Sequence, residues 1–271
     1  MPFTLDIDPV AFAIGGISIR WYGLLLVVAV MVTVRLALLE ARRRGIADAI
    51  VSDGALWVGA GALVGGRALY VVQNELAMTV AEPLHALMIW HGGLSFYGGL
   101  IAGLAMLALF AVRHGLSPMR AADIAAPGVA IGQAIGHVGC LIGGDSFGTV
   151  TSVPWAVVYQ NPAAMAPLGV PLHPTQAYEA IALTLLFVGL WVGRPALARL
   201  GDGAMTAAYL IGLSVIRFAL FFLRDEPAVL LGLKTAQWIG LGIGAAGVAL
   251  LIAVAVRGTG RTPITMEATR S

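Results

Sequence analysis

Five ionisable side chains lie inside or at the end of strongly apolar stretches of this sequence, and their types could bind an anion. They are Arg67, His137, Asp145, Glu179 and Arg217. A charged side chain at the centre of a membrane-spanning helix costs about 2.5–3.5 kcal/mol to insert, so it is retained where it faces protein, water or a polar ligand. Two arginines with few acids nearby leave spare positive charge, and guanidinium groups bind phosphate in a planar, bidentate way. The pattern therefore favours a site for an anionic ligand such as a phospholipid headgroup.

A structural role is the alternative for these two arginines, because Arg67 or Arg217 could pair with Glu179 or Asp145 and lock helices together. Other groups give weaker signals. No two histidines have metal-ligand spacing, so no metal site and no cofactor are predicted. The run from Gly144 to Gly148 fits the serine-hydrolase pattern G-x-S-x-G, but that motif follows a strand, whereas an apolar helix is predicted here.

The composition explains where these residues must lie. The chain has 271 residues, of which 59% are apolar and 11% charged, and its mean hydropathy is +0.90. A water-soluble domain carries about 25% charged residues. The sequence therefore predicts an integral membrane protein. Its net charge of +2 and the lack of a basic domain argue against a nucleic-acid partner.

The fold class predicted is all-α, a polytopic membrane protein with seven transmembrane helices. Each span is about as long as the 20 residues that cross a bilayer. Together they form one membrane domain over residues 1–257, followed by a disordered cytoplasmic tail over 258–271. The predicted spans are Ile19–Leu39, Gly54–Asn74, Leu94–Val112, Ala122–Gly143, Thr175–Val192, Gly203–Leu223 and Ala236–Val256.

The distribution of basic residues predicts the orientation. Of the 16 Lys and Arg, ten follow spans 1, 3, 5 and 7, and only two, Arg224 and Lys234, lie between spans 6 and 7. Loops rich in Lys and Arg stay in the cytoplasm. The N-terminus is therefore expected outside and the C-terminus inside. The longest segment between spans, residues 145–174, contains no Lys or Arg and is predicted to form a small periplasmic lid.

Six short motifs occur along the chain in a characteristic order. They are Ile19-Arg20-Trp21-Tyr22-Gly23-Leu24, Gly66-Arg67-Ala68-Leu69-Tyr70, the segment from His91 to Leu100, the segment from Gly136 to Gly148, the segment from His173 to Glu179, and the pair Arg217 and Arg224 before Asp225-Glu226-Pro227. In these motifs the chain resembles the bacterial prolipoprotein diacylglyceryl transferase family along nearly its whole length.

The sequence also departs from that family's pattern at five positions. The arginine of the family's signature is His137 here, its asparagine is Cys140, and its glutamate is Asp145. The glutamate between the two late arginines is Phe221, and Tyr97 stands where some members carry a histidine. The fold and the binding site are therefore expected to carry over more readily than the activity.

The resemblance implies a reaction and a location. The family moves a diacylglyceryl group from phosphatidylglycerol to the lipobox cysteine thiol of a prolipoprotein and releases glycerol phosphate, the first step of lipoprotein maturation. The implied partners are phosphatidylglycerol, prolipoprotein signal peptides and membrane lipids. The implied location is the bacterial cytoplasmic (inner) membrane, crossed several times.

The resemblance also implies roles for individual residues. Arg67, Arg217 and Arg224 would clamp the phosphate, with His137 donating to it when protonated. Asp145 or His173 would take the thiol proton or orient the base. Tyr97 would hydrogen-bond in the same cleft, and Tyr22 and Glu179 would help to bind substrate. The alternative for His173 and Glu179 is that they only cap and orient span 5.

Two other functions remain open at this stage. A family member with altered chemistry could bind phospholipid or a lipoprotein precursor without the transfer, as the lost arginine and glutamate suggest. A transporter could carry buried charges along its path, but the sequence lacks an internal repeat, and its motifs cluster toward the outer half.

Overall fold

The computed structural model describes residues 2–15, 17–76, 79, 82–88 and 93–259. Within these ranges, seven helices are long and apolar enough to cross a membrane, which confirms the predicted number of spans. They are Trp21–Arg43, Asp48–Glu75, Phe96–Arg113, Pro118–Gly143, Thr175–Leu200, Ala204–Leu223 and Thr235–Arg257. His91, Gly92 and the tail from residue 260 lie outside the described residues.

The α-helices are numbered in chain order. They are α1 (Trp21–Arg43), α2 (Asp48–Tyr70), α3 (Phe96–Arg113), α4 (Pro118–Gly143), α5 (Thr175–Leu200), α6 (Ala204–Leu220) and α7 (Thr235–Thr259). A π-helical turn, Val71–Glu75, continues α2, and a 3-10 turn, Phe221–Leu223, continues α6. A separate 3-10 turn covers Pro83–Leu87.

Short strands correct the all-α expectation, although the chain is mostly helical. They are β1 (Phe3–Leu5), β2 (Val10–Ile14), β3 (Ile17–Arg20), β4 (Val157–Tyr159), β5 (Pro171–Leu172), β6 (Ala228–Leu230) and β7 (Leu233–Lys234). All of them lie before α1, between α4 and α5, or between α6 and α7. With two to five residues each, these strands are too short for their alternation to stand out from the apolar sequence around them.

The chain divides into two compact units, one formed by residues 1–33 and 126–271 and the other by residues 34–125. In the first unit, the core combines side chains from α4, α5 and α6. On α4 the alanines Ala126, Ala130 and Ala134 recur every four residues, so they lie on one helix face and allow close packing. Leu183 and Leu213 are buried against that face from α5 and α6.

Glycines bring α1 close to α4. The hydroxyl of Thr33 on α1 donates to the carbonyl of Gly128 on α4 at 2.9 Å. A Cβ atom on Gly128 would lie 2.7 Å from the Thr33 carbonyl oxygen, so only glycine fits there. Gly132 also faces α1, whereas a Cβ on Gly136 would meet open space. Gly128, Gly132 and Gly136 recur every four residues along α4. Two of them, Gly128 and Gly132, therefore allow α1 and α4 to pack closely, whereas Gly136 does not contribute to this contact.

The segment between α4 and α5 folds with the N-terminus. Strand β1 pairs in parallel with β4, and β4 pairs in antiparallel with β5. This sheet buries Leu5, Val157, Tyr159, Ala166 and Leu172 in a small core of its own. The hydroxyl of Tyr159 donates to the Leu141 carbonyl at 2.9 Å and so ties the sheet to the end of α4.

In the second unit, α2 and α3 pack through facing glycines. A Cβ atom on Gly65 would lie 2.6 Å from the carbonyl oxygen of Gly98, so the two backbones touch. The amide of Ser95, which precedes α3, donates to the Gly66 carbonyl at 2.9 Å. This contact sets the position at which α3 begins.

Candidate active site

A tight turn after α4 joins three helix ends in the first unit. The amide of Gly148 donates to the His173 carbonyl just before α5, and the amide of Thr149 donates to the Leu223 carbonyl after α6, at 3.1 Å and 2.8 Å. A Cβ atom on Gly148 would lie 2.6 Å from the Cβ of His173, so the close approach requires glycine. The C-terminal ends of α4 and α6 therefore meet the N-terminal end of α5.

A buried carboxylate lies where these helix ends meet. Glu179, one turn into α5, has a side chain only 3% exposed. Its Oε1 lies 2.8 Å from Nη1 of Arg224, and its Oε2 lies 2.8 Å from Nε2 of His137 on α4. Because a buried charge is tolerated only when it is paired, the two basic groups can stabilise a carboxylate at this buried position.

Arg224 is held on several sides. Its guanidinium carbon lies 4.8 Å from the centre of the Phe221 ring, within cation–π range. Nζ of Lys234 donates to the Phe221 carbonyl at 2.6 Å and also to the carbonyl of Arg224. Lys234 therefore fixes the turn that presents Arg224. In the sequence, Lys234 contributes only to the charge bias that predicts the orientation of the chain in the membrane.

Arg217 lies about two helical turns before Arg224 and is differently placed. Its guanidinium carbon is 5.8 Å from the same Phe221 ring, so this ring contacts both late arginines. Within the described part of the chain, the guanidinium makes no hydrogen bond or ion pair. Arg217 is therefore the cation of this site whose donors remain available for a ligand.

A small cavity opens beside Arg217. Its volume is about 10 Å³, room for about one water molecule. Polar side chains of Gln133, His137, Glu179 and Arg217 line it, together with apolar side chains that include Leu183 and Leu213. Nδ1 of His137 is buried and has no hydrogen-bond partner among the residues described. The site thus presents several unused N–H groups next to a carboxylate that is already paired.

A larger cleft of about 290 Å³ lies one turn further along α4. Arg20, Tyr22, Cys140 and Asp145 are among the residues that line it. Asp145 is exposed, and its backbone carbonyl accepts a 2.6 Å hydrogen bond from Gln176. The cleft places a carboxylate, a phenol and a guanidinium around a space large enough for a small polar group.

The comparisons with known proteins identify the family of the chain. The family model described as prolipoprotein diacylglyceryl transferase matches residues 9–253. The chain belongs to this family. A relative from Aromatoleum aromaticum is 37% identical over 257 residues, which cover 90% of this chain and 94% of the relative. One from Synechococcus elongatus is 36% identical over 252 residues, covering 90% and 86%. Both relatives are named phosphatidylglycerol–prolipoprotein diacylglyceryl transferase.

The site residues carried over from the family fall into separate groups. His137, Glu179, Arg217 and Arg224 come together at the buried carboxylate or its cavity. Tyr22 and Asp145 line the larger cleft. The helix-locking alternative paired Arg67 or Arg217 with Glu179 or Asp145, but Glu179 pairs instead with Arg224, and Arg67 pairs with Glu75.

His173 lies in a separate hydrogen-bonded chain at the start of α5. Nε1 of Trp155 donates to the Tyr178 hydroxyl at 2.7 Å, and that hydroxyl lies 3.3 Å from Nδ1 of His173. Indole N–H is only a donor, so Trp155 donates to the phenol oxygen. In either tautomer of His173, the second hydrogen bond occupies Nδ1 with Tyr178.

Arg67 and Tyr97 belong to the second unit. The Arg67 guanidinium is buried and forms a 3.0 Å ion pair with Glu75. It also donates to the carbonyls of Ala86 and Gly93, at 2.8 Å and 3.2 Å. Tyr97 is 50% exposed and packs edge-on against its neighbour Phe96. No signal in the sequence indicates Glu75, because it follows the predicted span Gly54–Asn74 and belongs to no motif.

Proposed function

We propose that the protein transfers a diacylglyceryl group from phosphatidylglycerol to the cysteine thiol of a lipoprotein precursor and releases glycerol phosphate. The observation that carries the proposal is the available guanidinium of Arg217 beside the buried His137–Glu179–Arg224 cluster. The names of the relatives support the same substrates.

The proposed location is the bacterial inner membrane, with the N-terminus outside and the C-terminus in the cytoplasm. The charge bias of the loops supports this orientation. It puts the C-terminal ends of α4 and α6 and the N-terminal end of α5 at the outer face. A signal peptide would then reach the site from outside, under the segment 145–174, while the lipid enters sideways from the bilayer.

The phosphate would be held by Arg217 and His137. A protonated His137 keeps one N–H on the Glu179 carboxylate, 2.8 Å away, and has the other, at Nδ1, free for a phosphate oxygen. The imidazolium thus supplies one donor where the family's signature arginine would supply more. Arg224 would act mainly by holding Glu179 ionised, because its own Nη1 is already bonded to that carboxylate.

The reaction needs one bond formed and one broken. The thiol loses its proton, because the thiolate is the nucleophile. The sulfur then bonds to the terminal glyceryl carbon, and that carbon's bond to the phosphate oxygen breaks, with the electron pair leaving on glycerol phosphate. Arg217 and His137 would stabilise the charge that develops on the phosphate.

Asp145 is the better candidate for the base. Its carboxylate lines the larger cleft, and Tyr22 beside it would hydrogen-bond the substrate. His173 would instead position the start of α5, since Tyr178 occupies its Nδ1. For Arg67 the proposed phosphate contact requires the ligand to replace the Glu75 carboxylate, and Tyr97 would contact substrate through its exposed hydroxyl.

A transfer assay tests the proposal. Purified protein in detergent receives phosphatidylglycerol and a lipobox peptide, and mass spectrometry detects the thioether product. A peptide with serine in place of cysteine should give none. Arg217→Ala should lower turnover by about 100-fold or more, and Arg217→Lys by less. Thr184→Val is the control, because its exposed hydroxyl bonds only within α5.

The names of the relatives do not favour a family member that binds lipid without transferring it. The same assay tests this alternative, which Phe221 suggests because a ring replaces the glutamate expected between the two late arginines. Bound phosphatidylglycerol with no thioether product would support this alternative and overturn the transferase proposal. Unchanged turnover in Arg217→Ala would overturn the phosphate site.

A further inference from the structure

Gln133 contributes a polar group to the cavity that no family motif accounts for. It lies four residues before His137 on α4, so both side chains are on the same face of the helix. The hydroxyl of Tyr209 on α6 donates to Oε1 of Gln133 at 3.0 Å. Tyr209 is only 8% exposed, and it packs among the core side chains of α4, α5 and α6. This buried phenol fixes the orientation of the Gln133 amide.

The fixed amide leaves two donors unused. Because Oε1 accepts from Tyr209, the Nε2 group of Gln133 is on the other side of the amide. In the chain as described, neither N–H of that group has a hydrogen-bond partner. Gln133 lines the same cavity of about 10 Å³ as His137 and Arg217. The cavity has room for about one oxygen atom, and Gln133 adds unused donors to its lining.

We infer that Gln133 donates a hydrogen bond to an acyl-ester carbonyl oxygen of the donor lipid, and that Tyr209 positions it. The inference rests on the proposed function. Four residues of α-helix rise about 6 Å, so in the proposed orientation Gln133 lies about that much deeper in the membrane than His137. In a diacylglycerol phospholipid the ester carbonyls lie deeper than the phosphate.

The surroundings of Gln133 fit an ester better than a second phosphate oxygen. Leu183 and Leu213 give the cavity apolar walls, which suit an uncharged carbonyl oxygen better than a charged one. A neutral amide donor matches a neutral carbonyl, whereas Arg217 and His137 supply the charge for the phosphate. With both ends of the glyceryl unit held, its terminal carbon would be aligned for attack by the thiolate.

This contact predicts a preference for ester lipids over ether lipids. Dialkyl phosphatidylglycerol has the same headgroup and chains but lacks both carbonyl oxygens. Wild-type protein should use the diacyl form better in kcat/KM by about fivefold to tenfold, the effect of one hydrogen bond. Gln133→Met keeps the length of the side chain but removes the donor. This variant should bring the ratio of kcat/KM for the diacyl lipid to kcat/KM for the dialkyl lipid close to one, because it lowers kcat/KM for the diacyl lipid.

Two further variants separate positioning from packing. Tyr209→Phe keeps the ring and Gln133 but removes the orienting hydrogen bond, so the ratio should fall part of the way. Gln133→Glu keeps an acceptor for Tyr209 but sets a carboxylate oxygen against the carbonyl, so it should remove the preference as well. Thr184→Val should retain the wild-type ratio. The inference would be overturned if Gln133→Met kept the same preference for the diacyl lipid as wild type. It would also be overturned if wild type showed no preference for the diacyl lipid.

Competition binding of the same two lipids, followed by native mass spectrometry, keeps this test independent of catalysis. If wild type transfers neither lipid, the proposed function fails. A diacyl preference in binding that Gln133→Met abolishes would still support the ester contact. A binding ratio unaffected by Gln133→Met would overturn it, whether or not transfer occurs.

Discussion

Glu179 on α5 accepts a hydrogen bond from His137 on α4, with 2.8 Å between Oε2 of Glu179 and Nε2 of His137. The resemblance to the family places an arginine at position 137, which would stay charged at any pH. A histidine ring has at most two N–H donors, and Glu179 engages one of its nitrogens, whereas a guanidinium has five donors in a planar fork. Histidine at position 137 therefore leaves the site fewer donors for an anionic ligand than an arginine would.

This difference can be measured with His137→Arg. The arginine variant should show turnover equal to or above wild type, because its guanidinium offers further donors to the phosphate. His137→Gln, which is never charged, should lower turnover below wild type. A fall in turnover in His137→Arg would contradict the role of position 137 in binding the phosphate.

The same glutamate should dominate the stability of the helix ends. Glu179→Gln leaves His137 and Arg224 without their carboxylate, and removing one partner of a buried ion pair costs about 3–5 kcal/mol. Unfolding in detergent should detect this loss. Glu226→Gln is the matched control, because Glu226 is 41% exposed, lies 3.8 Å from Nε of the same Arg224, and should contribute less than about 1 kcal/mol. Similar losses in both variants would contradict the assignment.

The two roles open to Arg67 predict different effects of Glu75→Gln. If Arg67 clamps the lipid phosphate, removing the competing carboxylate should lower KM for phosphatidylglycerol by a few-fold. If Arg67 only holds the chain at Ala86 and Gly93, KM should stay the same while thermal stability falls by about 1 kcal/mol. Measuring KM and unfolding on the same preparation distinguishes the two. Arg67→Lys, which loses the planar fork, should be impaired in either case.

Tyr159 should make stability depend on alkaline pH. Burial raises the pKa of Tyr159 to about 12, whereas a tyrosine in the unfolded chain ionises near pH 10. Above pH 10 the unfolded chain therefore binds fewer protons, and stability falls as pH rises. The contribution of Tyr159 should decrease by about 1 kcal/mol between pH 8 and 11. Tyr159→Phe should be less stable at pH 8 and show a correspondingly smaller fall.

The sequence was sufficient for those features that depend on one segment at a time. Seven apolar runs predicted the membrane helices, and charged residues within them identified His137, Glu179 and Arg217 as polar groups of the site. Pairings between distant segments were not predictable in this way. The partner of Arg67 is Glu75 rather than a motif residue, and Tyr209 meets Gln133 across 76 positions. Helical spacing from His137 could have indicated Gln133, but not its partner.

Substitution of Asp145 and His173 can identify the base that takes the thiol proton. Asp145→Asn removes the carboxylate from the larger cleft but keeps the side chain's size, so kcat should fall by about 100-fold, as expected for loss of a general base, while KM for the lipid changes little. The loss should shrink with peptides in which a more acidic thiol analogue replaces cysteine, since these need less help to ionise. His173→Gln should instead lower stability more than kcat, because Tyr178 already occupies Nδ1 of His173. The opposite result would identify His173 as the base. In that case His173→Gln would lower kcat more than Asp145→Asn does, and only the loss in His173→Gln would shrink with the more acidic thiol. The contact between Tyr178 and His173 would then have to break during turnover.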